Sequence, residues 1–144
     1  MPVQDAIGGT YPTRMTAGYP GQIADGSLHD VVSKVVETAA VAFGLAVGSG
    51  TADGSVKLGG TGFEGITVDD KTRTADSYAI GEFAAIAKKG VILVTVTTAG
   101  VSPAAPVTFT AATGVIGAGL VTTITGAKFL DTVASGALCR VYLP

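Results

Sequence analysis

The chain contains no tryptophan and no asparagine, one cysteine, one histidine and few charges. Each shortage removes a class of function. Without asparagine there is no N-glycosylation sequon. Cys139 stands alone, so no intrachain disulfide can form. His29 is the only histidine and cannot make a histidine-based metal cluster, so neither a metal nor another cofactor is expected. A net charge of −2 and a pI near 5.1 leave no basic stripe to displace counterions, and nucleic acid is not an expected partner. The one adjacent basic pair, Lys88-Lys89, reads as a solvated strand end or turn. Long hydrophobic runs are missing as well. The longest, Ala39 to Gly48, is about half of what a membrane helix requires, so no membrane partner is expected. The first residues, Met-Pro-Val-Gln-Asp-Ala-Ile-Gly-Gly, show neither the positive start nor the apolar stretch of a signal peptide. Synthesis and folding in a cytoplasm are expected.

What remains is glycine, alanine, threonine and valine in quantity, a mixture suited to short strands joined by glycine turns. With 144 residues the chain has the length of one domain, enough to bury roughly 70% of its unfolded surface. Apolar residues make up 47% and charged residues 14%, against about 25% charged in an ordinary soluble domain. So little charge cannot dress the whole surface of a monomer. Much of that surface is expected to be covered by other chains.

Two regions differ in punctuation. Residues 1–27 hold Pro2, Gly8-Gly9, Pro12, Gly18, Pro20, Gly21 and Gly26, and no apolar periodicity survives them. This stretch reads as an extended arm, and residues 28–144 as the body. Within the arm, Tyr19-Pro20-Gly21 is a turn signal, because proline presets φ and glycine accepts the positive φ of a type II turn. The arm also carries Ile7, Tyr11, Met15, Tyr19 and Ile23, one large apolar side chain about every four residues. Each contributes about 1.5–3 kcal/mol if another surface buries it. Together with Pro20 they are the expected contact residues, although Tyr19 is equally suited to packing on its own body.

In the body, Val31 to Glu37 is rich in β-branched residues and reads as a strand, with a helix through Phe43 as the alternative given its spacing of valines. Ala42 to Gly48 reads as a short buried strand, and Ser49 to Gly54 as a turn. Val56 to Leu58 and the alternating Phe63 to Asp69 are further strands, and Asp70 to Ser77 an exposed polar loop. Glu82 to Ala87 and Gly90 to Thr97 are expected as two strands joined by a turn at Lys88-Lys89-Gly90. Val91 to Val94 should lie at the centre of the core. Val107 to Thr110, Thr123 to Leu130 and Ala137 to Leu143 complete the strands, with Val115 to Leu120 a strand edge or loop. Turn signals about every ten residues point to an all-β fold, a small antiparallel β-barrel or sandwich with an extended N-terminal arm.

No catalytic set is legible. Gly60-Thr61-Gly62-Phe63-Glu64-Gly65 matches G-x-G-x-x-G, but a dinucleotide site needs a helix next, and Ile66-Thr67-Val68 reads as strand. Asp69-Asp70 reads as a strand terminus in water, His29 as a solvent-facing residue at the end of the arm, and Cys139 as a small buried hydrophobe. An enzyme is not expected.

Ala17 to Asp25, Val35 to Val47 with Phe43-Gly44 inside, and Val56-Lys57-Leu58 followed by Phe63 to Val68 resemble, in that order, the capsid cement (head decoration) proteins of tailed bacteriophages. Gly90 to Val96, Pro106 to Gly114 and Gly126 to Leu143 continue the resemblance, with Ala111-Ala112 where Asn-Pro is common. The resemblance implies a virion structural protein, a homotrimer of β-barrel-like subunits bound to the major capsid protein on the outside of the head. It also implies a seat over capsomer junctions, where the trimer holds the shell against the pressure of packaged DNA. The alternative is a receptor- or glycan-binding β module of a tail or fibre. That would need an exposed aromatic platform from a chain with four tyrosines and five phenylalanines.

Overall fold

A computed structural model describes residues 18–26, 28–60, 62–96 and 100–144. The described residues contain eleven strands and no helix. The all-β reading therefore holds, and the valine-rich stretch is β1 (Asp30–Glu37), not a helix. Next come β2 (Val41–Ala42), β3 (Ala46–Ser49), β4 (Ser55–Leu58), β5 (Phe63–Thr67) and β6 (Ser77–Tyr78). A long β7 (Phe83–Thr95) follows, then β8 (Pro106–Phe109), β9 (Ile116–Gly117), β10 (Thr122–Phe129) and β11 (Leu138–Leu143).

The main sheet runs β1-β4-β3-β5-β7-β11-β10-β8-β9, and β1 also pairs with β7. That extra pairing closes β1, β4, β3, β5 and β7 into a five-stranded barrel. Beyond it, β11, β10, β8 and β9 continue from the second half of β7, and a bridge from Ile116 to Val96 leads back to the chain just past β7. The long strand thus joins the closed barrel to the remaining strands. One pairing inside the closed barrel, β1 with β4, is parallel, with Val35 opposite Ser55; the neighbouring pairs are antiparallel.

Two strand boundaries differ from the sequence reading. The expected turn at Lys88-Lys89-Gly90 is a bend within the continuous β7. Asp30 pairs with Lys89 and Val31 with Ala87, so Lys88 is the extra residue of a bulge, and both lysines point out to solvent. Gly90 has φ +115°, and a Cβ there would lie 2.6 Å from the Cβ of His29. Glycine thus bends the strand where the sequence suggested that it ends. Likewise Ala42 to Gly48 is not one strand. The chain leaves β2, turns at Phe43-Gly44 with Gly44 at φ +76°, and resumes as β3.

The core falls into two clusters. The smaller joins Val36, Val47, Val56, Ala84 and Ile86 of the barrel strands to Val41 and Tyr78 of β2 and β6. The larger cluster includes Ile66, Ile92, Val94, Val107, Phe109, Ile124, Phe129, Cys139 and Val141. Val91 to Val94 are all buried, as their run of apolar residues predicts. Cys139 is buried too, and burial pushes its thiol up from the ordinary value.

Candidate functional site

The site is built where the end of the arm meets the body. Pro20 and Gly21 form the turn that their sequence predicts. The Gln22 amide donates to the Tyr19 carbonyl at 3.2 Å, and Gly21 takes φ +84°. The Gln22 side chain closes the same turn, its Oε1 accepting the Tyr19 amide at 3.1 Å. No other residue fits at Gly21. A Cβ would stand 2.8 Å from the Asp69 nitrogen and 2.9 Å from the Thr67 carbonyl oxygen, both backbone atoms.

The chain then runs along β7. Gly21 donates to Leu93 O at 2.8 Å, Leu93 donates to Gln22 O at 2.9 Å, and Ala24 donates to Val91 O at 2.8 Å. Asp69 donates to Gly21 O at 2.9 Å, which ties the same turn to the chain leaving β5. Ile23 bridges to Ile92 and packs against the larger core. The end of the arm is therefore an added strand whose backbone groups are paired with the body.

The side chains of the turn remain outside. Tyr19 is 54% exposed, Pro20 is exposed, and Lys71 Nζ lies 3.1 Å from the centroid of the Tyr19 ring. Lys71 is held there by Asp69, whose Oδ2 is 3.1 Å away. Tyr19 thus meets its own body through a cation on the ring face and still presents about half its surface to solvent.

Beside it lies a flap made of β2, β6 and residues 69–82. Arg73 organises the flap and is mostly buried, its side chain 24% exposed. Its guanidinium stacks over Tyr78 at 4.6 Å, forms an ion pair with Glu82, and places Nε 3.3 Å from Asp70 Oδ2. That last approach lacks hydrogen-bond geometry, so Nε has no hydrogen-bond partner. Thr72 donates its hydroxyl to Asp70 at 2.6 Å and its amide at 3.0 Å, and these bonds hold the Asp70 carboxyl below its usual range. Tyr78 donates its hydroxyl to Val68 O at 2.6 Å, and its ring meets Phe43 edge-on at 5.2 Å. Burial pushes the Tyr78 phenol up.

Between the turn and the flap is a cleft of about 310 Å³. Tyr19, Pro20, Ala42 and Phe43 supply its apolar wall; Asp70, Lys71, Arg73 and Asp76 supply a wall of balanced charge. The arrangement has the makings of a docking site, with one side chain's worth of apolar space and a polar rim. Of the expected contact residues, Tyr19 and Pro20 line the cleft and Ile23 is turned to the core. Ile7, Tyr11 and Met15 lie outside the described residues. The sequence reading missed Phe43, Lys71, Arg73 and Asp76 as cleft residues. The available signal was the Phe43-Gly44 turn, since glycine there lets the loop approach within contact of Pro20.

Other candidate groups stay apart. The G-x-G-x-x-G match leads into β5, a strand, and presents no helix N-terminus. Among the described residues no group of three histidine, cysteine or carboxylate side chains is placed to hold a metal ion. Nor, among them, is any helix long and apolar enough to cross a membrane.

Comparison with known proteins gives two kinds of likeness. The sequence pattern of the phage structural cement protein family (E217 gp24/Pam3 gp6) matches residues 7–143. A chain from the capsid of Myoviridae phage XM1 has a similar fold, with a TM-score of 0.74 at 19% identity over 92% of this chain and 94% of that one. The N base of the head fibre gp8.5 of bacteriophage phi29 is similar at a TM-score of 0.50, 7% identity, and 81% and 95% coverage. At these identities the structural likeness is one of fold. No curated protein matches the sequence.

Proposed function

The chain belongs to the phage structural cement protein family, and from that premise we propose that it is a homotrimer that binds the outer surface of the head at capsomer junctions and stabilises the shell. A structural protein of a phage capsid is part of the virion and associates with capsid proteins, and the family is not a class of enzymes.

The observation that carries the finer reading is the arm's root. Four backbone hydrogen bonds fix residues 21–24 to β7 and to Asp69, while Tyr19 and Pro20 stay exposed. A root that is already ordered gives the preceding residues a fixed point of departure, so less conformational entropy is lost when they bind. Ile7, Tyr11 and Met15 then act as anchors in grooves of the major capsid protein or of a neighbouring subunit, each worth about 1.5–3 kcal/mol when buried. Three arms on one trimer multiply the effect, because once one has bound the others dock from a short tether. Straps on different capsomers oppose their separation when packaged DNA pushes outward. The low charge of the chain fits such extensive coverage.

Deletion of residues 2–16 tests the arm. The truncated protein should fold and stay trimeric by sedimentation, yet co-sediment weakly with undecorated heads. Unchanged affinity for heads would falsify the anchoring role of the arm.

A further inference from the structure

On the reading that the arm binds the head, we propose that Lys71 and Gln22 are positioning residues. Together they latch Tyr19 and so set the direction in which the arm leaves the body. They act through the arm and touch no partner themselves.

Toward the N-terminus the pairing with β7 reaches Gly21, whose amide donates to Leu93 O at 2.8 Å. Beyond Pro20, the amide and the ring of Tyr19 are held by side chains instead. The amide donates to Gln22 Oε1 at 3.1 Å, and Lys71 Nζ stands 3.1 Å from the centroid of the ring. Lys71 is itself held by Asp69 Oδ2 at 3.1 Å, and the Asp69 amide donates to Gly21 O at 2.9 Å. The contacts form a closed circuit, from Gly21 through Asp69 and Lys71 to Tyr19 and back along the chain. Backbone and ring of the same residue are thereby gripped by two different side chains.

Its neighbours leave room for this latch. A Cβ at Gly18 would overlap Leu93 Cδ1 and lie 2.8 Å from Gln22 Oε1, displacing the oxygen that holds Tyr19. On the other side, Pro20 keeps Tyr19 out of the helical region. Residues 18–20 are thus constrained at the point where the arm begins.

The two contacts are individually modest, an exposed cation on a ring face and one hydrogen bond. Their leverage lies in their place. Met15, the nearest expected anchor before the turn, stands three residues ahead of Gly18, a reach of at most about 11 Å. A change of direction at Tyr19 therefore carries into where that anchor can land. If only a fraction of arms points the right way, affinity falls by that fraction. Lys71 and Gln22 raise it before any partner is met.

The test is affinity for undecorated heads, measured by co-sedimentation of the full chain. Lys71→Met, Lys71→Arg, Gln22→Met and Gln22→Glu are each made in the parent and in an anchorless chain carrying Ile7→Ser, Tyr11→Ser and Met15→Ser. In the parent, Lys71→Met and Gln22→Met should each weaken binding about 2–10-fold. Lys71→Arg keeps the cation and Gln22→Glu keeps the acceptor oxygen, so both should bind nearly as the parent does. In the anchorless chain the same four substitutions should change nothing, because no anchor is left to aim. Equal losses in both backgrounds would mean that Lys71 and Gln22 meet the capsid directly, and would overturn the proposal. Unchanged binding of Lys71→Met and Gln22→Met in the parent would overturn it too. An anchorless chain that binds as tightly as the parent refutes the arm reading itself, and the latch with it, so the two failures are told apart.

Discussion

The part of the molecule before Gly90 and the part after it share β7, yet they differ in what surrounds their cores. The smaller cluster, in the first part, has seven fully buried side chains. Around them stand the exposed Tyr19, Ile80 and Phe83, the cleft, and the ion pairs of Lys34, Lys71 and Arg73. The larger cluster draws most of its members from the second part and includes the Phe109 and Phe129 rings. Its exposed apolar residues are scattered: Val121 in a connection, Leu130 beside the Arg140–Asp131 pair, and Tyr142 opposite Lys128. Single exposed apolar residues are normal on any surface, whereas an aromatic that lines a cleft while half exposed, as Tyr19 does, suits a partner. On the proposed function, stability rests mainly on the second part and contact mainly on the first.

The largest expected effect sharpens the stability side. Phe109→Ala empties a fully buried site and removes the ring contact to Phe63 at 5.7 Å. It should cost about 3–5 kcal/mol in urea denaturation. A cost under 1 kcal/mol would break the assignment. Next comes Gly21→Ala, which sets a Cβ against backbone on two sides at positive φ. It should cost more than about 1 kcal/mol locally and speed amide exchange at Leu93 and Asp69, with exchange in β10 unchanged. Lys71→Met removes the cation from the Tyr19 ring and should loosen the turn by about 0.5–1 kcal/mol, read as faster exchange at Gly21 and Ala24.

The smallest effect concerns pH. The Ser49 hydroxyl donates to Glu64 at 2.7 Å and, with Lys34 at 3.2 Å and Lys88 at 3.5 Å, holds the Glu64 carboxyl below its usual range. A depressed folded-state value means that the ionised group stabilises the fold above the unfolded pKa of about 4.3. That contribution is lost as pH falls from there through the folded value. Glu64→Gln should therefore lose less stability than the parent between pH 6 and pH 3, by no more than about 1 kcal/mol. Equal losses in both proteins would remove Glu64 from the account.

Much of this comparison was legible in the residues themselves. The valines of β1, the alternation of β5, the burial of Val91 to Val94 and the Tyr19–Gly21 turn all follow from local pattern. The continuity of β7 did not, because glycine marks a chain turn and a strand bulge with the same letter. Only the pairing of β1 across Lys88 decides between them. The break at Phe43-Gly44 was hidden inside an apolar run, and it depends on the close approach of Pro20 from a distant stretch. The outward face of Phe83 was hidden as well. Alternation separates Phe83 and Ala85 from Ala84 and Ile86, but burial of the latter pair follows from closure of the barrel, a long-range event. The cation over Tyr19 joins residues 52 positions apart and has no local signature.

Hydroxyl-radical footprinting of decorated heads tests most directly whether contact belongs to the first part. Tyr19 and Phe83 should be protected from labelling, while Tyr142 and Val121, exposed on the other part, should label as freely as their exposure allows. Free labelling of Tyr19 and Phe83 together with protection of Tyr142 and Val121 would contradict the account, because the second part would then face the capsid and the neighbouring subunits.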